Sequence, residues 1–185
     1  MIDVLNYYDV ILDRDHICPS VYFEWNTYKV FNSLGNFNSI LPNFKMDNDG
    51  NPISGAKSGV ADIIVNYDKI DLILECSLRS GVTQVDYEGN SVYRHSVDNI
   101  KPNKKCITLF LAPTIHDDLY EYYSYRSNVS IIPLDLSQFK KFILSVEGSN
   151  VQLSLLNLLE TLSYRDSFSS PLNWKFKIAS YINNL

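Results

Sequence analysis

The chain lacks most of the features that would assign it at once. Its three cysteines, Cys18, Cys76 and Cys106, are odd in number, scattered, and form no C-x-x-C pair. That argues against a disulfide framework or a cysteine-held zinc site and fits a reducing, cytoplasmic setting. No apolar run approaches membrane-spanning length, and no charged-then-apolar leader opens the chain, so no membrane partner is expected. Positive charge is also scarce. Lys and Arg total 16 against 21 Asp and Glu, for a formal net charge of -5. The basic residues form only small groups, at Arg94, Lys101, Lys104 and Lys105 and at Lys140-Lys141, with no basic arm or helix. A chain that gripped nucleic acid unaided would be expected to carry more. Internal repeats and low-complexity tracts are missing too. What remains is 185 residues of 45% hydrophobic composition, enough for one domain over residues 1–185 with a sizeable core.

The informative stretch runs from Gly59 to His95. Two apolar runs, VADIIVNY and IDLILECSL, flank a polar break at Asp68-Lys69 and read as paired strands. If Asp68 and Lys69 form a two-residue turn, Tyr67 faces Ile70 and the register sets Asp62 opposite Glu75. Two carboxylates in buried strands are costly unless a cation joins them, and hard divalent ions take carboxylate oxygens. Cys76 offers a backbone carbonyl beside the acid, and Ser77 points to the same side as Glu75. The pattern resembles the PD-(D/E)XK nuclease core, with Ala61 in place of proline and Ser77 where many members carry lysine. From Gln84 to Asn99 the residues have a helical rhythm that puts Gln84, Glu88, Ser91 or Val92, and His95 on one face. Gly89 weakens that helix by about 1 kcal/mol relative to alanine. Water on a solvated helix face is the plainer fate of Glu88 and His95.

Around this hairpin the remaining elements can be set in order. Val21 to Leu34 reads as a helix capped by Ser20, with Phe23, Thr27, Phe31 and Leu34 on its buried side. Glu24 sits on it between two aromatic residues, either reaching toward the hairpin or simply favoured near a helix start. Residues 35–59 look like loop, with Lys45 and Lys57 placed to touch phosphate. CITLFLAP, residues 106–113, reads as a central strand and 114–127 as a helix capped by Thr114. His116 beside Asp117 and Asp118 reads as a helix start rather than a metal cluster. Residues 129–134 give another strand, and the helix after them starts near Asp135 or Ser137, with Phe139, Phe142 and Ile143 inward. Residues 150–185 are helical in pattern. Leu153, Leu156, Leu159 or Glu160, and Leu162 form one stripe, and Trp174, Ile178 and Tyr181 a second, facing the core or a partner. The expected fold class is α/β, a mixed central sheet flanked by helices.

Taken together, YFEWNTYKVF, LPNFKMDNDGNPI, GVADIIVNY with LILECSL, and QVDYEGNSVYRH resemble the catalytic domain of type IIS restriction endonucleases. They are most similar to the free-standing small subunit of the heterodimeric kind, over residues 20–145. That resemblance implies a restriction-endonuclease-like core and Mg2+-dependent hydrolysis of one strand of double-stranded DNA. It also implies a large partner subunit that carries DNA recognition and can nick alone. By position it makes Asp62 and Glu75 metal ligands, to which the adjacent Cys76 carbonyl would add a third oxygen, and Glu24, Glu88 and His95 further active-site groups. A homodimeric repair or junction nuclease of the same fold, or a non-catalytic interaction module, are the competing readings.

Overall fold

The computed structural model describes residues 1–13, 15–126, 128–148, 150–164 and 168–185. In chain order it begins with α1 (Ile2–Ile11), α2 (Pro19–Leu34), β1 (Ser39–Pro42), β2 (Lys45–Met46) and β3 (Pro52–Ser54). Next come β4 (Ile63–Asn66), β5 (Ile70–Cys76), and the short α3 (Val82–Gln84), which runs through a π-helical stretch, Val85–Gly89, into α4 (Asn90–Asp98). The chain finishes with β6 (Lys105–Ala112), α5 (Asp117–Ser124), β7 (Ser130–Asp135), α6 (Leu136–Val146), α7 (Val151–Leu162) and α8 (Pro171–Asn183).

The sheet order is β1-β4-β5-β6-β7, antiparallel on the β1 side and parallel from β5 to β7. This is the expected mixed α/β sheet. Residues of β5 from Ile70 to Glu75 are all buried, as a strand covered on both faces should be. The two coverings are visible in neighbouring side chains. Cys76 Sγ contacts Thr27 Oγ1 of α2 at 3.4 Å, while Glu75 points the other way, to His95 of α4. On the α2 face, Tyr8 meets Phe23 and Phe139, and Phe31 meets Phe139, drawing α1, α2 and α6 into one aromatic layer. On the α4 face, Ser96 Oγ and Thr108 Oγ1 are 2.7 Å apart, which satisfies two buried hydroxyls between helix and β6.

Several elements differ from the sequence expectation. Helix α1 was not anticipated, although Leu5, Tyr8 and Ile11 recur at helical spacing and are buried. Residues 35–59 are not all loop, for β1 pairs with β4 and β2 pairs with β3. Helix α2 starts at Pro19 with Cys18, not Ser20, at its N-cap, because proline's fixed φ suits the first helical position. Helix α5 is capped by His116, not Thr114; its Nδ1 accepts from the Asp118 N–H at 3.3 Å. Ser127, the expected end of that helix, lies outside the described residues, as do residues 165–167 within the C-terminal stretch. The stripe of α7 is rotated: Leu155, Leu158, Leu159 and Leu162 are buried, whereas Leu153 is 51% exposed. On α8, Trp174, Ile178 and Ile182 are buried, and Trp174 stacks edge-on against Tyr120 of α5. Asp135 caps α6 in a reciprocal capping box with Gln138.

Candidate active site

The β4–β5 hairpin places the acids. Its register runs from Ile63 opposite Leu74 to Asn66 opposite Asp71. The Tyr67 N–H donates to the Ile70 carbonyl at 2.9 Å, so Asp68 and Lys69 are the turn residues. Carried one residue past Ile63, the same register sets Asp62 against Glu75, as the sequence required. The Cys76 N–H donates to Asp62 Oδ2 at 2.7 Å, which orients that carboxylate. Asn43, just beyond β1, donates its N–H to the Asp62 carbonyl at 2.9 Å. The edge strand missed in the sequence thus fixes the backbone of the first acid.

Glu75 is only 5% exposed, and its Oε1 lies 2.9 Å from His95 Nδ1. Burial, then the charges of Glu75 and Glu24, push the Asp62 carboxyl well above the usual range, against the opposing Cys76 hydrogen bond. Glu75 is raised as well, by burial first and by the nearby Glu88 and Glu24 charges. His95 is pulled below its ordinary value by burial and by Arg94. A neutral imidazole donating from Nδ1 to Glu75 leaves Nε2 as an acceptor. That buried atom has no partner among the described residues. The Cys76 thiol is pushed well up, chiefly by burial, so it stays protonated and its contribution to the site is through the main chain.

Asp62, Glu75, Cys76, Glu88 and His95 line one cleft of about 420 Å³. Glu88 Oε1 accepts from Ser77 Oγ at 2.7 Å and lies 3.3 Å from Arg79 Nε. Ser77, 7% exposed, therefore braces an acid with its hydroxyl where a lysine would bring charge. Glu24 stands behind the cleft wall: its Oε2 accepts from the Ala56 N–H at 2.8 Å, and burial raises its carboxyl. Gln84 does not share the cleft face. The π-helical stretch turns it inward, where Nε2 donates to the Arg79 and Thr114 carbonyls and Oε1 accepts from the His116 N–H.

The cations of the cleft are Lys57, Arg79 and Arg94. Arg79 had no spacing signal in the sequence, being a single arginine in a Ser/Gly-containing loop. Lys45 does not line this cleft. Most other basic side chains are occupied: Lys101 and Lys104 hold the buried Asp71 at 2.7 and 2.6 Å, Lys105 pairs with Glu160, and Lys140 with Asp9.

Sheet and paired-acid hairpin define a protein of the restriction-endonuclease class. The chain belongs to the AlwI restriction endonuclease family, whose profile matches residues 13–142. It is similar throughout to the small subunit (R.BspD6I2) of the heterodimeric restriction endonuclease R.BspD6I, known from a crystal structure. Identity is 34%, the match covers 100% of this chain and 98% of that one, and the TM-score is 0.87. No curated protein gives a significant match. Restriction endonucleases generally imply a divalent metal ion. Among the described residues no group of three or more His, Cys, Asp or Glu side chains is assembled to hold one. Two carboxylates are nevertheless a suitable donor set, because Mg2+ is commonly held by one or two carboxylates plus substrate phosphate and water. No helix among the described residues is long and apolar enough to cross a membrane.

Proposed function

We propose that this chain is the catalytic small subunit of a heterodimeric type IIS restriction endonuclease, and that it hydrolyses one strand of double-stranded DNA with Mg2+. The observation that carries this reading is the Asp62–Glu75 pairing, which sets two mutually repelling carboxylates, one half-buried and one buried, in the lining of one cleft. Such a pair is relieved by a hard cation. Asp62, Glu75 and the Cys76 carbonyl would hold it. When bound, the ion supplies a lowered pKa for water and neutralises charge on the phosphate.

The chain's own groups do the rest. Cys76 N–H holds Asp62 in orientation, and His95 Nδ1 does the same for Glu75, leaving the buried Nε2 lone pair to accept a proton from water. Glu88, steadied by Ser77 and Arg79 one helical stretch before His95, would help position that water. Glu24 holds the segment at Ala56 against the site and adds to its negative field.

A large DNA-recognising subunit follows from the similarity to a heterodimer's small subunit and from the charge. A net charge of -5, with Lys101, Lys104, Lys105, Lys140 and Lys175 held in internal ion pairs, suits a subunit delivered to DNA by its partner. Residues 1–185 act as one catalytic domain, with α7 and α8 completing its core. A cytoplasmic location belongs to the same reading, supported by three unpaired cysteines. The test is conversion of supercoiled plasmid in Mg2+ by wild type and Glu75→Ala, each alone and with a co-expressed large subunit. Linear product from wild type plus partner alone is expected. Equal cutting by folded Glu75→Ala, or efficient site-specific cutting by the isolated chain, would overturn the reading.

A further inference from the structure

Among the described residues, one cation of the cleft is fixed in place. Arg79 follows β5 in a loop whose main chain is pinned twice: its N–H donates to Ser77 Oγ at 3.0 Å and its carbonyl accepts from Gln84 Nε2 at 2.9 Å. Gln84 is fully buried and ties the same loop to Thr114 and His116 at 2.9 and 2.8 Å, so this anchor belongs to the body of the fold. The side chain is held as well. The guanidinium lies 4.1 Å from the Tyr87 ring centroid, and Nε approaches Glu88 Oε1 at 3.3 Å. Stacking and one ion pair restrict its rotamers while the side chain stays 50% exposed. Among the described residues Nη1 and Nη2 make no hydrogen bond or ion pair, and Arg79 lines the same cleft as Asp62 and Glu75. Lys57 and Arg94 line it too, but among the described residues no contact of this kind steadies their head groups.

We propose that Arg79 is a phosphate clamp: its free guanidinium edge takes a DNA backbone phosphate at the cleft mouth while its Nε edge holds Glu88. A planar, pre-oriented guanidinium whose open edge carries N–H groups on both terminal nitrogens matches a phosphate's oxygens in a way that a mobile lysine does not. The arrangement links binding to the water-positioning wall, since one side chain touches both substrate and Glu88. The inference rests on the nuclease reading above and names the part of this chain that grips the strand.

The test uses the two-subunit complex on a plasmid that wild type cuts. Single-turnover cleavage is followed against DNA concentration at several KCl concentrations, for wild type, Arg79→Ala, Arg79→Lys and Glu75→Ala. Arg79→Ala should raise the half-saturating DNA concentration about 10-fold and flatten the log–log salt dependence by about 0.9, the loss of one phosphate contact. Arg79→Lys should keep the slope and fall between the two in affinity. A lowered maximal rate for Arg79→Ala, with half-saturation and slope unchanged, would overturn the clamp and leave Arg79 as a brace for Glu88 alone. Failure of the nuclease reading looks different: the wild-type complex does not cut, or Glu75→Ala cuts as well as wild type.

Discussion

Glu75→Gln separates the function of the acid pair from its cost to the fold. The substitution keeps shape and a hydrogen-bonding partner for His95 Nδ1 at 2.9 Å, and it removes one charge from a site 5% exposed. Because burial and the Glu88 and Glu24 charges raise the Glu75 carboxyl, the folded state takes up a proton more readily than the unfolded chain. The sign follows from linkage. Glu75 favours folding most at low pH, and that contribution is lost as pH rises from the usual glutamate range through the raised value. The amide introduced by the substitution does not titrate. The variant should therefore match wild type near pH 4 and gain on it steadily toward pH 8. Replacing buried charge with a neutral group is worth about 1–4 kcal/mol at most. The lower end of that range is apt here, since the hydrogen bond to His95 is kept. At about 2–4 °C per kcal/mol for a chain of this size, Tm at pH 8 should rise by roughly 2–8 °C. Adding Mg2+ should stabilise wild type more than the variant and narrow the gap, while cleavage falls at least about 100-fold. Differential scanning fluorimetry across pH, with and without Mg2+, reads the stability effects, and plasmid cleavage reads the activity. A variant destabilised equally at every pH, or a Mg2+ shift identical to wild type's, would refute the argument.

The pH profile of cleavage should follow the same groups. Activity is lost as pH falls through the raised values of Asp62 and Glu75, and excess Mg2+ moves that limb to lower pH by competing with protons. A limb that ignores Mg2+ concentration would point to other groups. Ser77→Ala removes the hydroxyl joining Glu88 Oε1 and the Arg79 N–H. Single-turnover rates should drop about 10–100-fold, with Tm changed by only a few degrees. Trp174→Ala empties a fully buried site and frees the Leu162 carbonyl from its 2.7 Å hydrogen bond. The expected cost is about 3–5 kcal/mol, so Tm should fall by roughly 6–20 °C. A loss under about 2 °C in thermal melts would show that α8 does not belong to the cooperative core.

Short-range chemistry was legible in the residues. The hairpin of β4 and β5 follows from runs of Val, Ile and Leu on either side of Asp68-Lys69, and the period of two in strand side chains makes the Asp62–Glu75 pairing depend on turn length alone. Phe23, Thr27, Phe31 and Leu34 define the buried side of α2 by helical spacing. Other features depended on what lies opposite. β1 is four residues among turn formers and becomes a strand because β4 offers it an open edge. The leucines of α7 occupy so much of its circumference that periodicity could not choose between Leu153 and Leu155; packing did. Gln84 departs from its helical face because the π-helical stretch adds a residue to the turn that follows.

The sequence by itself determined the paired acids, the strands that carry them, and a net charge of -5 with no basic arm or helix. Each is a property of neighbouring residues or of composition. Tertiary structure decided which helix residues reach the pair, that Ser77 serves Glu88, that Glu24 stays behind the cleft wall, and that Arg79 is its fixed cation. These relations join residues from α2, β5, the following loop and α4. Their spacing along the chain carries no signal of their meeting, because the sheet and the packing of its two faces set those distances.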